Sequence, residues 1–143
     1  MTEDLKRAKD ILLSGGYTCV ICRQDQICTD TQRGVKPLID LLDHGVRLSG
    51  FSAADKVVGK AAAMLYVMLG ISALYAPVIS APAVDVLKSN GIELYYDTEV
   101  EAIRNRAGDG FCPMETLVKN INEPHIAYPA IKRKLAELNK KSK

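Results

Sequence analysis

The stretch "DKVVGKAAAML", Asp55 to Leu65, decides how the middle of this chain is read. After Lys60 it runs without a charge to Gly70, so it reads as a buried helix with its charges crowded at the start. Ser52 and Asp55 form an S-x-x-D pattern, a capping box for a helix running to about Leu69. In that reading Lys56 and Lys60 lie four residues apart at the positive end of the helix dipole, where cations are disfavoured and repel one another. An anion between them would offset both penalties: a phosphate, a ligand carboxylate, or a buried Asp or Glu. The alternative is that both stems lie over apolar surface with their ammonium groups in water. Gly59, inside the expected helix, fits close packing against a sheet, because glycine there otherwise costs roughly 1 kcal/mol.

Outward from this stretch, helices and strands alternate. Leu5, Ala8, Ile11 and Leu12 form a helical stripe over Glu3 to Leu13, ended by Gly15-Gly16. "YTCVIC", a polar "RQDQ" and "ICTDT" read as a β-hairpin. Pro37 opens a short helix closed by Gly45, with His44 at its end. "VRLSGFS" reads as a strand leading into the opening segment. "ISALYAP" is a strand, Ser80 caps the helix "APAVDVLKSN", and "IELYYD" is a strand. Thr98-x-x-Glu101 is read as the cap of a helix through Arg106. "AGDGF" is a glycine loop, Pro113 opens "PMETLVKNI", and a last helix runs from about Ala130. Strands alternating with helices imply parallel βαβ units, with the hairpin as an antiparallel edge. The expectation is one three-layer α/β domain, residues 1–143, with a core over about 17–122, a C-terminal helix over about 130–141, and a mixed sheet of about five strands.

Composition narrows the function. Charged residues are 25%, hydrophobic residues 48% and the net charge is +2 over 143 residues, values ordinary for a globular domain and too weakly basic to argue for nucleic acid. The longest apolar run, Ala61 to Leu69, is too short to cross a bilayer, and the charged "MTEDLKRAKD" start is unlike a secretory signal. A cytoplasmic protein with no membrane partner is expected. Cys19 and Cys22 have C-x-x-C spacing, but on a strand residues three apart face opposite ways, so no thiol pair forms. With Cys28 they read as small buried hydrophobes. No metal or other cofactor is expected.

Ligands of parallel sheets bind beyond the carboxyl ends of the strands, at helix N-termini. That places Asp55, Lys56, Lys60 and Ser80 at a candidate anion site. The second candidate is "RNRAGDGFCPMETL", residues 104–117. There Cys112 precedes Pro113 at a helix start, a position that lowers a thiol's pKa, and Glu115 is either a capping residue or a proton acceptor. Asn105, Arg106 and Gly110 complete the candidate ligand set. A glycine turn with a buried cysteine and an ordinary cap is the competing reading. No nucleotide-binding glycine motif is present.

The segments "RGVKPLIDLL" (33–42), "ADKVVGKAAAML" (54–65), "VISAPAVDVLKSNGIELYYD" (78–97) and "NRAGDGFCPME" (105–115) resemble an uncharacterised prokaryotic family placed in the cytidine deaminase-like superfamily. The resemblance implies a mixed sheet of strand order 2-1-3-4-5. Zinc deaminases carry H-x-E at the start of one helix and P-C-x-x-C at the next. The corresponding positions here hold Asp55-Lys56-Val57 and Pro77-Val78-Ile79-Ser80-Ala81. One ligating side chain stands where three are needed, so the resemblance implies a scaffold without zinc-dependent deamination. Two functions follow as expectations. One is a zinc-free site for an anionic, nucleotide-like small molecule, with Cys112 as nucleophile and Glu115 as proton acceptor if it is an enzyme. The other is a non-catalytic interaction module, with the apolar "AAAMLYVML" helix in a core or at a subunit interface of a homo-oligomer.

Overall fold

In the computed structural model, which describes residues 1–104, 108, 110 and 112–141, a six-stranded mixed sheet carries helices on both faces. Helix α1 (Glu3–Ser14) begins where the Thr2 hydroxyl accepts the Leu5 N–H, and its stripe of Leu5, Ala8 and Leu12 is buried. Strands β1 (Cys19–Arg23) and β2 (Gln26–Asp30) form the antiparallel hairpin, followed by α2 (Lys36–Asp43).

The chain then enters β3 (Ser52–Asp55), antiparallel to β1 on one side and parallel to β5 (Ala73–Ser80) on the other. It bends at Lys56 and resumes as β4 (Val57–Val58), parallel to the later half of β5. Helix α3 (Lys60–Leu69) follows, closed by Gly70 at φ 86°, a left-handed conformation that glycine adopts without penalty. Helix α4 (Ala81–Ser89) leads to β6 (Glu93–Val100), which lies parallel to β5 along its whole length. Two helices finish the described chain: α5 (Pro113–Val118) and α6 (Pro124–Lys141).

The alternation of strand side chains sorts the apolar residues into two cores. Cys19, Ile21, Ala53 and Leu74 join the buried residues of α2 to α6, whereas Val20, Cys22, Ala54 and Tyr75 pack under α1 alone. Cys19 and Cys22 therefore lie on opposite faces of the sheet, as strand geometry requires.

The structure corrects the reading of the central stretch. Ser52 to Asp55 is a strand, not a cap, and "VRLSGFS" is irregular up to that point. α3 starts seven residues later than expected, at Lys60, and Gly59 is its N-cap rather than an interior residue. The four-residue spacing of Lys56 and Lys60 is thus not helical. Ala53 and Ala54, both completely buried, fit a strand sandwiched between two strands and two cores better than the solvated first turn of a helix. This interrupted segment also makes six strands instead of five. Thr98 to Glu101 is not a helix start either. β6 runs through Val100, because Thr98, Glu99 and Val100 keep pairing with Val78, Ile79 and Ser80. Cys28 is exposed on β2, not buried. The last helix begins at Pro124, with Pro129 inside it. The α3 residues Ala61 to Tyr66 are buried within the chain itself, which places the "AAAMLYVML" segment in a core.

Candidate functional site

A helix leaves its first N–H groups without intrahelical partners. At α3 the N-cap is Gly59, which has no side chain to satisfy them. Glu115, from the first turn of α5, does so instead. Its Oε1 accepts the Lys60 N–H at 2.7 Å and its Oε2 accepts the Ala61 N–H at 3.1 Å. Both oxygens of one carboxylate thus rest on the positive end of a helix dipole. The approach is close enough to require glycine: a Cβ on Gly59 would lie 2.4 Å from the Glu115 carboxyl.

Lys60 serves the same junction from its side chain. Only 9% exposed, it sends its ammonium to the Lys119 carbonyl at 3.2 Å and to Asn122 Oδ1 at 3.0 Å. Lys119 is the C-cap of α5, and a cation beside final carbonyls suits a helix C-terminus. One residue of α3 therefore holds both ends of α5, through its backbone N–H at one end and its Nζ at the other.

The remaining expected residues divide. Cys112 is the N-cap of α5, half-buried, with its N–H donating to the Ile103 carbonyl and its carbonyl accepting the Glu115 and Thr116 N–H groups. It is brought to the same junction as Glu115 and Lys60. Gly110 is half-buried, whereas Asn105 and Arg106 lie outside the described residues. Lys56 is exposed in the bend between β3 and β4 and is not part of the junction. Ser80, completely buried, caps α4 by accepting the Ala83 N–H at 3.3 Å.

Asp55 belongs to another cluster. Its Oδ2 accepts the Tyr66 hydroxyl at 2.7 Å, and the same hydroxyl lies 3.2 Å from Cys19 Sγ. Burial pushes the Asp55 carboxyl up to about 7, although hydrogen bonds from Tyr66 and the Val57 N–H pull it back. Burial likewise raises Tyr66 and Cys19, with the negative field of Asp55 adding to both. Asp55 is a half-buried residue whose carboxyl accepts hydrogen bonds, with no role as a helix cap.

Tyr66, Cys19, Asn122 and Gly59 were not among the expected site residues. Only Gly59 left a signal, a glycine in a strong helix former's company; its reason is the Glu115 carboxyl rather than sheet packing. Among the described residues no group of three or more His, Cys, Asp or Glu side chains is placed to hold a metal ion, and no helix is long and apolar enough to cross a membrane.

Residues 7–135 match a family model described as a domain of unknown function (DUF1893). No curated protein matches the chain. Among solved structures it is similar to a DUF1893 family protein (TM1506) from Thermotoga maritima, with 26% identity over 94% of this chain and 92% of that one, at a TM-score of 0.85.

Proposed function

Because the chain belongs to the DUF1893 family, a domain family of unknown function, its role has to be read from the site, and we propose that it binds an anionic, nucleotide-like small molecule at the N-terminus of α3. In this reading Glu115 is an internal carboxylate that occupies the anion seat until a ligand displaces it. The observation that carries the proposal is the bidentate contact, Lys60 N to Oε1 and Ala61 N to Oε2, over a residue without a side chain. Two convergent N–H groups at a helix start suit a carboxylate or a phosphate equally. Displacement of Glu115 would release the first turn of α5 and bring Cys112 to the ligand. Gly110, Asn105 and Arg106, on the segment preceding α5, and Ser80 are the further binding residues of the proposal, and Lys56, outside the junction, joins them only for a ligand that extends to the bend between β3 and β4. If the site is catalytic, Cys112 is the nucleophile and the released Glu115 the proton acceptor.

The proposal includes the scaffold and its setting. Taken as one strand interrupted at Lys56, β3 and β4 give the order 2-1-3-4-5, and this supports a cytidine deaminase-like fold. Val57, Val78 and Ala81 supply no zinc ligand or proton-transfer group, which supports a use of that fold without zinc. A cytoplasmic location belongs to the same proposal.

Glu115→Ala vacates the seat and provides the test. Inorganic phosphate and a nucleoside monophosphate are expected to raise the Tm of Glu115→Ala more than that of the unmodified protein, since the internal competitor is gone. A free ligand at 100 times its Kd adds roughly 2.7 kcal/mol. If neither anion shifts the Tm of the variant, and calorimetry detects no binding, the seat is structural only. That result would favour the second reading, a non-catalytic oligomeric interaction module. One observation already supports that reading: Lys60 and Glu115 find their partners inside the chain.

A further inference from the structure

A cleft of about 220 Å³ opens between the β1–β2 hairpin and α2, far in sequence from the Glu115 junction. Its walls are mainly apolar, from Ile21, Pro37, Leu41 and Val46, and both Cys19 and Cys28 line it. Cys19 is 6% exposed, so its thiol is a floor group rather than a surface one. Behind the floor, Cys19 Sγ is 3.2 Å from the Tyr66 hydroxyl, and that hydroxyl is 2.7 Å from Asp55 Oδ2. Three groups in a row, each able to exchange donor and acceptor roles, connect the cleft to the bend between β3 and β4.

The direction of this row follows from proton counting. An ionised Asp55 can only accept, so the single Tyr66 hydroxyl proton is committed to it. The Tyr66 oxygen is then left as an acceptor, and the Cys19 S–H donates to it. When one proton from solvent is added to Asp55 Oδ2, the carboxyl becomes a donor to the Tyr66 oxygen. The Tyr66 hydroxyl turns to Cys19 Sγ, and the S–H, its proton still bonded to sulfur, turns away from the row toward the cleft. No bond between heavy atoms forms or breaks, and the net change is one bound proton.

We propose that Cys19, Tyr66 and Asp55 form a reversible hydrogen-bond switch, in which protonation of Asp55 reverses the row and presents the Cys19 S–H as a donor to the cleft. The groups around it leave Asp55 as the responding member. Tyr66 faces it from α3 and Cys19 from the register position opposite on β1. Burial and then the Asp55 carboxylate hold the Cys19 thiol protonated, with smaller contributions from Cys28 and Asp30 on β2. Lys56 is the neighbouring cation in sequence, but its side chain is exposed, and no ion pair to Asp55 exists among the described residues. Val57 donates its N–H to the carboxyl in the same bend. Burial places the carboxyl's transition near neutrality, where both directions of the row are populated.

Infrared spectroscopy of the protein alone, titrated from acid to alkaline pH, tests the switch. The Cys19 S–H stretch is isolated by subtracting the spectrum of Cys19→Ala, and the Asp55 C=O stretch by subtracting that of Asp55→Asn. The expected result is an S–H band that moves from the free to the donating position as the carboxylic C=O band disappears, with one shared midpoint. In Asp55→Asn the side-chain amide can donate to Tyr66, so the S–H band is expected at its free position at every pH. Tyr66→Phe removes the middle member and is expected to abolish the pH response of the S–H band while the carboxyl still titrates. An S–H band that stays in place while Asp55 titrates would overturn the proposal. So would a pH response that survives in Tyr66→Phe, or a carboxyl that remains ionised throughout.

Discussion

Gly59 and Glu115, fifty-six residues apart in sequence, are so close that a single methyl group on Gly59 would stand 2.4 Å from the Glu115 carboxyl carbon. Gly59 has φ −97°, which any residue can adopt, so this glycine is required by space and not by backbone conformation. Gly59→Ala is expected to displace Glu115 and to destabilise the fold by about 2–4 kcal/mol, combining overpacking with the loss of a helix cap. Urea unfolding measures this. In the double variant with Glu115→Ala the two costs should fall well short of additive, because the side chain that clashes is already gone. Additive losses would contradict the contact.

Glu115→Gln keeps the shape and removes the charge. The amide places an NH2 where a second acceptor is needed, opposite the Lys60 or Ala61 N–H. The expected loss is about 1–2 kcal/mol, and hydrogen exchange at Lys60 and Ala61 should quicken while that in the middle of α3 does not. Equal protection in both proteins would show that the carboxylate contributes little.

The two lysines of the opening stretch are expected to behave differently. Lys60→Met buries a similar volume but leaves the Lys119 carbonyl and Asn122 Oδ1 without their donor, at a cost of about 1–3 kcal/mol. Lys56→Ala removes an exposed side chain and should stay within about 0.5 kcal/mol of the unmodified protein. Thermal unfolding of the two variants side by side checks the contrast, and equal effects would refute it.

Asp55 gives stability a pH dependence of defined sign. Its folded-state pKa of about 7 lies above the ordinary carboxylate value of 3.8, so the folded protein binds the extra proton between those values. The contribution is fully present below about pH 4, falls as pH rises toward 7, and is absent above it. A shift of this size corresponds to a few kcal/mol, on the order of 1.4 per unit. Asp55→Asn is expected to be less sensitive to pH over that window and more stable than the unmodified protein at pH 8. Denaturant unfolding at several pH values measures both; parallel stability curves for the two proteins would contradict the burial of this carboxyl.

Outside the central stretch and the helix expected after Thr98, the order of elements was legible because local signals and tertiary needs agreed there. Gly15, Gly45, Gly70 and Ser80 sit at helix ends, and Cys19 and Cys22 fall on opposite faces of the sheet. The central stretch was not legible for a definite reason. A short strand buried on both faces and a helix interior are both written in small apolar residues, so "FSAADKVVGKAAA" fits either. What decides is β5, which needs partners along its whole edge, and no local pattern expresses that need. The anion at the helix start was anticipated as one of three chemical types, a buried Asp or Glu among them. Glu115 was singled out for a different role, because its meeting with Gly59 depends on a contact 56 residues long. The Cys19–Tyr66–Asp55 row left no sequence signal at all, since its members come from three separate elements.

Among the described residues, one face of the sheet is covered by a single helix. α1 rests its Leu5, Ala8 and Leu12 on Val20 and Cys22, and also on Ala54, Ala73 and Tyr75, which are made much later. During synthesis α1 therefore leaves the ribosome long before half of its docking surface exists. At roughly 5–20 residues per second, that is an interval of several seconds in which its apolar stripe has only the β1–β2 hairpin to lean on. Helix α1 is therefore made well before its docking surface and reaches its final place only after residue 75 has emerged.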